Sequence, residues 1–383
     1  MEPISIRDLQ RQVRATPVEA SLRLQLDQTA SKETRQGKAY IELVFVDGLG
    51  TLTLRVWSDH AMFIRAQSLQ APMFLLVTGQ WVDRGQFGIE PLAWDFRDLT
   101  DEEREELLCG PQSLRDKQRI DFGYIVETVR GMSDPRLRML GLRFLEVHEE
   151  RFLRTAAART YHHARRGGLV EHVAQMMRAA VALSGVYEGI NEDLVVSGVL
   201  FHDCGKLWEN AYTKSGFTMP HNEVGELLGH IPLGIELVNK LWREICDEEE
   251  AASWESITPR TDDVRLHLLH LIASHHGTHE FGSPVLPKTP EAVLLHFVDN
   301  IDAKLEMLQE TYDHSPLLGK NVFERRRPIY HSLVRPLPRF EDQLEEGDTL
   351  EATIAAEVVV TKPEVPENQG ASMVGSEVIV GDS

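Results

Sequence analysis

The spacing of apolar residues changes once along this 383-residue chain, and that change limits the folds that it can adopt. In the first hundred residues apolar and polar residues alternate, as in "SLRLQLD", "KAYIELVFVDGLGTLTLRVW" and "FLLVTGQWVDRGQFGIEPLAW". Turn signals at Asp47 to Gly50 and at Asp83 to Gly85 divide these stretches into five short strands. Five strands within about 80 residues predict a small barrel or sandwich.

After the break at "CGPQS" the apolar residues recur at spacings of three and four, which is the period of amphipathic helices. This pattern begins near Asp121, and we expect it to last to about residue 335. The chain is therefore predicted to be an α+β multidomain protein. Its expected parts are a β domain over 1–105, a helical linker region over 106–155, an all-helical domain over 156–335 and an acidic tail over 336–383.

The acidic tail carries half of the net charge of −20, because residues 341–383 hold eleven acidic side chains and one basic one. It has no helical period and contains scattered proline and glycine, so we expect it to be disordered. Outside the tail, the charge does not exclude a nucleic-acid partner.

The N-terminus has charged residues where a signal peptide would carry its apolar core. No stretch approaches the ~20 apolar residues of a membrane span. The three cysteines are far apart and predict neither a disulfide framework nor a cysteine-rich zinc site. We expect a cytoplasmic protein without a membrane partner.

One face of the third strand is predicted to be exposed and to carry Arg55 and Trp57, with basic and aromatic side chains nearby at Arg35, Lys38 and Tyr40. Such a surface would suit single-stranded nucleic acid, whose bases stack and whose phosphates need cations. The alternative is an ordinary half-solvated barrel face. The order and spacing of the strands resemble an OB-fold.

The helical domain places polar residues where a buried core is expected. In "LFHDCGKLWE", a histidine and an aspartate end an apolar helix. Similar residues follow at "LLGHI", "SHHG" and "LLHFVDNID". Buried carboxylates need partners, and several imidazoles with two carboxylates indicate a divalent-metal site. His270 and His296 are interpreted as hydrogen-bonded structural residues, and Asp302 as a surface or supporting carboxylate.

The motifs "GGLVEH", "FHDCGK", "LLGHI", "SHHG" and "LLHFVDNIDAK" resemble those of the HD-domain phosphohydrolase superfamily. The preceding "YHHARRGGLVEH" is similar to the YhaM-type branch, whose members are 3′→5′ exoribonucleases with an OB-fold ahead of the HD domain. The resemblance covers roughly residues 20 to 310 in the same domain order.

This resemblance implies a set of metal ligands. The core ligands fall on His172, His202, Asp203 and Asp299. The additional ligands of members with two ions fall on His230, His275 and His276, and Asp203 then bridges the ions. The resemblance favours two divalent ions and Mn²⁺, although nitrogen-rich sites bind several first-row metals.

Lys206 lies three residues after Asp203 and would project from nearly the same side of a continuing helix. It is expected to act in catalysis beside Asp203 by stabilising charge on a substrate phosphate. A salt bridge to a ligand carboxylate is the alternative.

The stretch "RTYHHARRGG" concentrates positive potential just before His172. We expect it to steer a phosphate backbone toward the metal site, and the alternative is a solvated helix end. Its basic side chains are Arg159, His162, His163, Arg165 and Arg166.

These expectations favour a metal-dependent 3′→5′ exonuclease that hydrolyses single-stranded RNA to nucleoside 5′-monophosphates. Single-stranded DNA is left open as a second substrate, and a homo-oligomer is compatible with the sequence. One alternative is an HD phosphohydrolase of nucleotides or cyclic dinucleotides, although no "GYP" follows the His-Asp pair. Another is a non-catalytic RNA-binding module, which the complete ligand set disfavours.

Overall fold

The five predicted strands form one antiparallel sheet. In the computed structural model, which describes residues 2–339 apart from 14–15, 49, 86–87, 160–162 and 218, they are β1 (Val18–Glu33), β2 (Ala39–Val46), β3 (Thr51–Trp57), β4 (Met73–Asp83) and β5 (Ile89–Asp98). The strand order is β3-β2-β1-β4-β5. The edge strands β3 and β5 approach to within 8 Å between Cα atoms, so the sheet curls into a half-barrel. The predicted five-stranded OB-like domain is confirmed.

Alternation along the strands builds the core of this domain. Leu43 on β2 lies opposite Leu54 on β3, and both side chains are buried. Helix α1 (Ile6–Gln12) precedes β1 and adds the fully buried Ile6 and Leu9 to the same core. A short helix, α2 (Phe63–Gln67), connects β3 to β4. The period-two pattern therefore correctly predicted which strand faces are buried.

In the part of the chain that the structure describes, ten further helices follow the sheet. They are α3 (Asp101–Cys109), α4 (Gln112–Arg130), α5 (Pro135–Phe152), α6 (Gly168–Ser184), α7 (Glu192–Phe201), α8 (Lys206–Glu209), α9 (Glu223–Leu228), α10 (His230–Cys246), α11 (Thr261–Ser274) and α12 (Pro290–His314). Two 3₁₀ helices, Glu249–Ser256 and His279–Phe281, lie between them. The predicted helical domain is confirmed.

Helices α4 and α5 belong to the core of the helical bundle. Ile125 on α4 and Phe144 on α5 are fully buried in the same apolar cluster as residues of α6, α7, α10, α11 and α12. The ring of Phe144 packs edge-on against Phe201 at the end of α7, with centroids 5.2 Å apart. The segment that was predicted as a linker region thus also contributes to the packing that holds the later helices in place.

The helical pattern ends earlier than expected. Helix α12 ends at His314, and the segment up to Val334 contains two short paired strands, β6 (Val322–Phe323) and β7 (Leu333–Val334). Pro316 and Pro328 disfavour helix in this segment because each restricts its own φ and the residue before it. The prediction of helix to about residue 335 is therefore wrong for its last twenty or so residues.

The sheet and the helical bundle touch through loops. The side-chain oxygen Oε1 of Gln25 on β1 accepts a hydrogen bond from the backbone N–H of Phe217, at 3.2 Å. The ring of Phe217 also lies against Gly48 in the β2–β3 turn. Arg23 on β1 forms an ion pair with Glu106 on α3. These contacts fix the barrel beside the loop that precedes α9.

No helix among the described residues has the length and apolar character needed to cross a membrane. Most of the predicted acidic tail, residues 340–383, lies outside the described residues.

Candidate metal centre

The seven side chains that the sequence predicts as ligands come from five helices. They lie on α6 (His172), at the end of α7 (His202 and Asp203), at the start of α10 (His230), at the end of α11 (His275 and His276) and in the middle of α12 (Asp299). The structure brings all seven together at one place between these helices.

Two glycines permit the close packing of these helix ends. A Cβ on Gly205 would lie 1.9 Å from the carbonyl oxygen of His230, so any side chain there would push α10 away from the end of α7. A Cβ on Gly277 would lie 2.2 Å from the ring of His296, and the φ of 79° at Gly277 also favours glycine. The glycine in "HDCGK" is thus explained by the approach of His230 to Asp203.

The break between α9 and α10 also helps to place His230 at the centre. The sequence predicts one continuous helical segment over residues 223–245, but Gly229 has a φ of 72° and separates two helices. His230 becomes the first residue of α10 and points toward the end of α7.

Asp203 lies between two groups of histidines. Its Oδ2 is 3.2 Å from Nε2 of His202 and 3.9 Å from Nε2 of His172. Its Oδ1 is 3.5 Å from Nε2 of His230 and 3.7 Å from Nε2 of His275. The two oxygens of one carboxylate therefore face different sets of ligand atoms, which is the arrangement a bridging ligand needs.

Two groups around Asp203 have the spacing of metal ligands, with all donor atoms of each group within 4.8 Å of one another. They are His172, His202 and Asp203, and His230, His275 and His276. Asp299 joins the first group, because its Oδ1 lies 3.4 Å from Nε2 of His172.

The ring orientation of two histidines is fixed by backbone carbonyls. Nδ1 of His202 lies 2.8 Å from the carbonyl oxygen of Val199, and Nδ1 of His275 lies 2.8 Å from that of Ile272. A carbonyl only accepts hydrogen bonds, so each Nδ1 carries the proton and each Nε2 presents a lone pair to the centre.

Several of these inward-facing atoms lack a hydrogen-bond partner among the described residues. They are Nε2 of His202, Nε2 of His275 and Oδ1 of Asp203, and all three are buried. Buried acceptors need a partner, and a divalent cation is one that neutral imidazole and carboxylate can share. The residues present therefore fit a metal ion.

Asp302 supports the centre from behind His172. Its Oδ2 lies 2.7 Å from Nδ1 of His172 and 3.0 Å from Nε2 of His163, and all three side chains are buried. Of the two interpretations from sequence, surface or supporting carboxylate, the structure agrees with the second. A carboxylate on Nδ1 directs Nε2 of His172 toward the centre and makes that nitrogen a better donor.

The carboxylates of the centre are held in their charged form. Burial raises the pKa of Asp203, but Lys206 and His202 outweigh it and hold the pKa well below its ordinary value. Burial likewise opposes the charged form of Asp299, whereas the neighbouring His172, 3.4 Å away, and His202 lower its pKa. The centre thus offers at least two anionic ligands at neutral pH.

The imidazoles of the centre differ from one another in their pKa values. Burial and the neighbouring His202 hold the pKa of His275 well below its ordinary value, so His275 is neutral and ready to bind a cation. Burial also lowers the pKa of His172, but Asp299 and Asp302 outweigh it and raise the pKa to about 10. A cation that binds Nε2 of His172 must therefore displace a proton.

A cleft of about 200 Å³ opens beside the centre. Its lining includes Asp203, Lys206, His276, His296, Asp299 and Asn300. Nζ of Lys206 lies 2.6 Å from Oδ2 of Asp203, so the structure contains the salt bridge that was the alternative interpretation of Lys206. Because Lys206 also lines the cleft, its ammonium group is within reach of a bound anion.

Two residues at the centre were missed or interpreted differently from sequence. Oε2 of Glu209 lies 3.3 Å from Nδ1 of His230, and nothing in the sequence set Glu209 apart except its place three residues after Lys206. His296 donates from Nδ1 to the carbonyl oxygen of His275, at 2.9 Å, which is the structural role expected of it. Its position in the cleft, one turn before Asp299, was not foreseen.

The basic stretch before α6 is largely engaged within the protein. Arg165 pairs with Glu171 and Glu306, and Arg166 donates to the carbonyl oxygens of Thr213 and Gly216. Arg159 likewise donates to backbone carbonyl oxygens in the loop before α9. The predicted residue His162 lies outside the described residues.

His163 was predicted to bind nucleic acid, and the structure disagrees. Its side chain is fully buried and bonded to Asp302, so no part of it is available to a phosphate. The tight packing of Gly168 against the carbonyl oxygen of His163 keeps this loop closed over the start of α6. His163 belongs to the layer that supports His172.

The aromatic and basic residues predicted on the barrel lie together. The rings of Tyr40 and Trp57 have centroids 5.0 Å apart, and Nζ of Lys38 lies 5.3 Å from the Trp57 ring. Nε of Arg55 lies 3.7 Å from Oε2 of Glu42, and Arg35 is exposed in the β1–β2 turn.

This cluster lies at one end of the β2–β3 hairpin, opposite Val46 and Thr51 at the other end. The helical bundle touches the Val46 end through Gly48. The seven residues of β3 run from one end to the other, so the two ends are about 20 Å apart. The aromatic cluster is therefore remote from the contact between the two domains.

Comparison with known proteins agrees with this geometry. The family model described as HD domain matches residues 169–304, the part of the chain that carries all seven predicted ligands. A protein of Oceanobacillus iheyensis named 3′-5′ exoribonuclease YhaM is 30% identical over 281 residues, which cover 72% of this chain and 81% of that protein. A protein of the same name from Geobacillus sp. (strain WCH70) is 34% identical over 190 residues, covering 49% of this chain and 53% of that protein.

The first of these matches extends over more chain than the HD domain alone, and the fold has an OB-like sheet followed by the helices that hold the centre. The chain therefore belongs to the YhaM family of 3′-5′ exoribonucleases.

Proposed function

We propose that this protein is a metal-dependent exonuclease that removes nucleotides from the 3′ end of single-stranded RNA and releases nucleoside 5′-monophosphates. The observation that carries the proposal is the position of Asp203, whose two carboxylate oxygens face two separate groups of imidazoles. Such a centre suits hydrolysis of a phosphodiester bond. Single-stranded DNA is the second substrate to be tested.

The proposed cofactors are two divalent ions, with Mn²⁺ favoured. His172, His202, Asp203 and Asp299 would hold one ion, and His230, His275 and His276 the other, with Asp203 shared. Five imidazoles and two carboxylates form a donor set that suits first-row metals better than Mg²⁺ or Ca²⁺. Bound divalent ions would supply an acidified water and charge stabilisation at the phosphate.

The chain's own residues prepare the site for an anion. Asp302 and the carbonyl oxygens of Val199 and Ile272 hold the ring nitrogens in the required orientation. Lys206 is placed between Asp203 and the cleft, where its ammonium group can donate to a phosphate oxygen. We assign Lys206 to charge stabilisation of the substrate.

The small size of the cleft favours an end-directed enzyme. The cleft of about 200 Å³ is smaller than the ~300–1,000 Å³ of sites that enclose a drug-sized ligand, so it suits the phosphate end of a terminal nucleotide better than a strand that continues on both sides. We propose that a terminal nucleotide enters the cleft and that Tyr40, Trp57 and Lys38 on the barrel contact more distant parts of the strand.

The test of direction uses one RNA with two labels in separate reactions. With Mn²⁺ present, a label at the 3′ end should appear at once as a mononucleotide, and a label at the 5′ end should move through a series of shortening products. Chromatography should identify the released nucleotides as 5′-monophosphates. Intact RNA together with hydrolysis of free nucleotides or cyclic dinucleotides would instead establish an HD phosphohydrolase.

A further inference from the structure

A second cavity lies apart from the metal centre, where the barrel meets the helical bundle. It has a volume of about 460 Å³. Its walls come from β1 and the β2–β3 turn, from the α3–α4 connection and from the loops at Arg166 and Phe217. We call it the junction cavity. Volumes of this size are typical of sites for small ligands.

Arg166 brings a positive charge to this cavity and forms no ion pair among the described residues, although the carboxylates of Asp47 and Glu106 also line the cavity. Its NH2 group donates to the carbonyl oxygens of Thr213 and Gly216, at 2.8 and 3.0 Å. Its Nε–H is buried and makes no hydrogen bond among the described residues, and none of their carboxylates forms an ion pair with it. The neighbouring Arg165, in contrast, pairs with both Glu171 and Glu306.

A second arginine repeats part of this pattern. Arg23 on β1 lines the cavity and pairs with Glu106, but its own buried Nε–H has no hydrogen-bond partner within the described ranges. A buried N–H group without a hydrogen-bond partner is unfavourable because it has lost its hydrogen bonds to water. Two such donors at one cavity indicate that an acceptor binds there.

The rest of the wall is mostly apolar and aromatic. It includes Leu108, Leu114, Tyr212 and Phe217. The guanidinium carbon of Arg166 lies 5.7 Å from the centre of the Tyr212 ring. An apolar wall with an aromatic ring suits a nucleobase, and an unbalanced guanidinium group suits a phosphate.

We propose that the junction cavity binds one nucleotide unit of the RNA strand, with its phosphate at Arg166 and its base against the apolar wall. This inference rests on the proposed function, and it adds a subsite between the barrel and the metal centre.

The location favours a strand over a free nucleotide. The loop that carries Arg166 also carries His163, which bonds to Asp302 behind the ligand His172. His172 is the sixth residue after Arg166, so their Cα atoms are at most about 20 Å apart. The cavity also opens between the two domains that a bound strand would have to connect.

The test measures binding with the full chain and with chelator present, so that no RNA is cleaved. A short 5′-fluorescein-labelled oligouridylate is titrated with protein, and its anisotropy gives the dissociation constant. Arg166→Gln should weaken binding by about 5- to 50-fold, which is the loss expected for one phosphate or base contact. Arg119→Gln removes one exposed arginine, 74% exposed in its side chain, and should stay within about twofold because only long-range attraction changes.

A cavity-filling variant distinguishes loss of an RNA contact from loss of RNA affinity that follows from a disturbed structure. Arg166→Gln also loses the bonds to Thr213 and Gly216, whereas Leu114→Trp keeps them and occupies the space. Leu114→Trp should weaken binding to a similar extent, with circular dichroism and melting temperature like those of the wild type. Wild-type affinity in Leu114→Trp would overturn the proposal.

A free nucleotide is distinguished with AMP. If AMP raises the melting temperature of the wild type but not of Leu114→Trp, and RNA affinity is equal in both, the cavity holds a mononucleotide and the RNA subsite is refuted. Nuclease activity is measured separately with Mn²⁺. If the wild type is an active nuclease and both variants bind RNA as tightly as the wild type, only the subsite is rejected. If both variants lose RNA affinity but the wild type has no nuclease activity, only the proposed function is rejected.

Discussion

Oδ2 of Asp302 accepts a hydrogen bond from Nδ1 of His172, 2.7 Å away, and the same oxygen lies 3.0 Å from Nε2 of His163. One carboxylate therefore orients a proposed metal ligand and also anchors the loop that precedes it. Asp302 does not itself face Asp203, so its influence on the centre acts through His172.

Replacement of Asp302 by alanine should weaken metal binding without removing a ligand. Loss of a supporting carboxylate typically costs about 10- to 100-fold in metal affinity. Isothermal titration of Mn²⁺ into the metal-free protein would measure this change. Asp302→Asn keeps one acceptor and should lie between wild type and alanine, and equal affinities in all three proteins would contradict the supporting role.

Lys206 should affect turnover more than metal content. Its ammonium group lies 2.6 Å from Oδ2 of Asp203 and also lines the cleft, so both of its interpretations from sequence involve the same atom. Lys206→Ala should lower kcat by about 100-fold, as expected for one donor to developing charge, while bound metal stays at the wild-type level. If Lys206→Ala loses metal but keeps the wild-type rate per bound ion, Lys206 serves only to position Asp203. If its rate is unchanged, Lys206 takes no part in the mechanism.

His276 tests for the second ion. Nε2 of His276 and Nε2 of His230 are 3.3 Å apart, on the side of Asp203 away from His172. His276→Ala should reduce the metal bound after dialysis from two ions to one, as measured by elemental analysis. The control is His270→Ala, because His270 accepts a hydrogen bond from the backbone of Lys288 outside the centre. Two ions in both variants would contradict the assignment of His276.

Glu171 links the stability of the protein to pH. Burial raises its pKa, but Arg165 and Gln118 outweigh burial and lower the pKa to about 2 from an ordinary value of 4.5. Because the pKa is lower in the folded state, Glu171 stabilises the protein above about pH 4.5 and loses this effect as the pH falls toward 2. The contribution at neutral pH is at most about 3 kcal/mol.

Urea denaturation at several pH values tests this link. Glu171→Gln should be less stable than the wild type at pH 7, and the difference should shrink as the pH falls from about 5 toward 2. Glu188→Gln, at an exposed position, should follow the wild type throughout. A difference that stays constant with pH would show that the charge of Glu171 is not responsible.

The grouping of the proposed ligands could be predicted from the sequence because several of them occur in short motifs that conflict with their apolar surroundings. His202 and Asp203 end a helix that is otherwise buried, and a local sequence pattern is enough to detect such a conflict. The sheet was predictable for a similar reason, since alternation along Thr51–Trp57 directly reports which side chains face inward.

Residues that act through distant contacts could not be predicted in the same way. His163 looks like part of a basic surface stretch, and only the packing of α12 beside α6 buries it against Asp302. Glu209 has no motif of its own and becomes relevant when α10 places His230 beside it. The junction cavity depends on how the barrel meets the bundle, which no local pattern encodes.

The central claim is that Asp203 holds a metal centre that digests RNA from its 3′ end. The most direct measurement incubates 5′-labelled single-stranded RNA with the purified protein, with Mn²⁺ or with chelator, beside an Asp203→Ala variant. The account predicts a descending ladder of products that requires both Mn²⁺ and Asp203. A ladder of equal intensity from Asp203→Ala, or from the wild type in chelator, would contradict it.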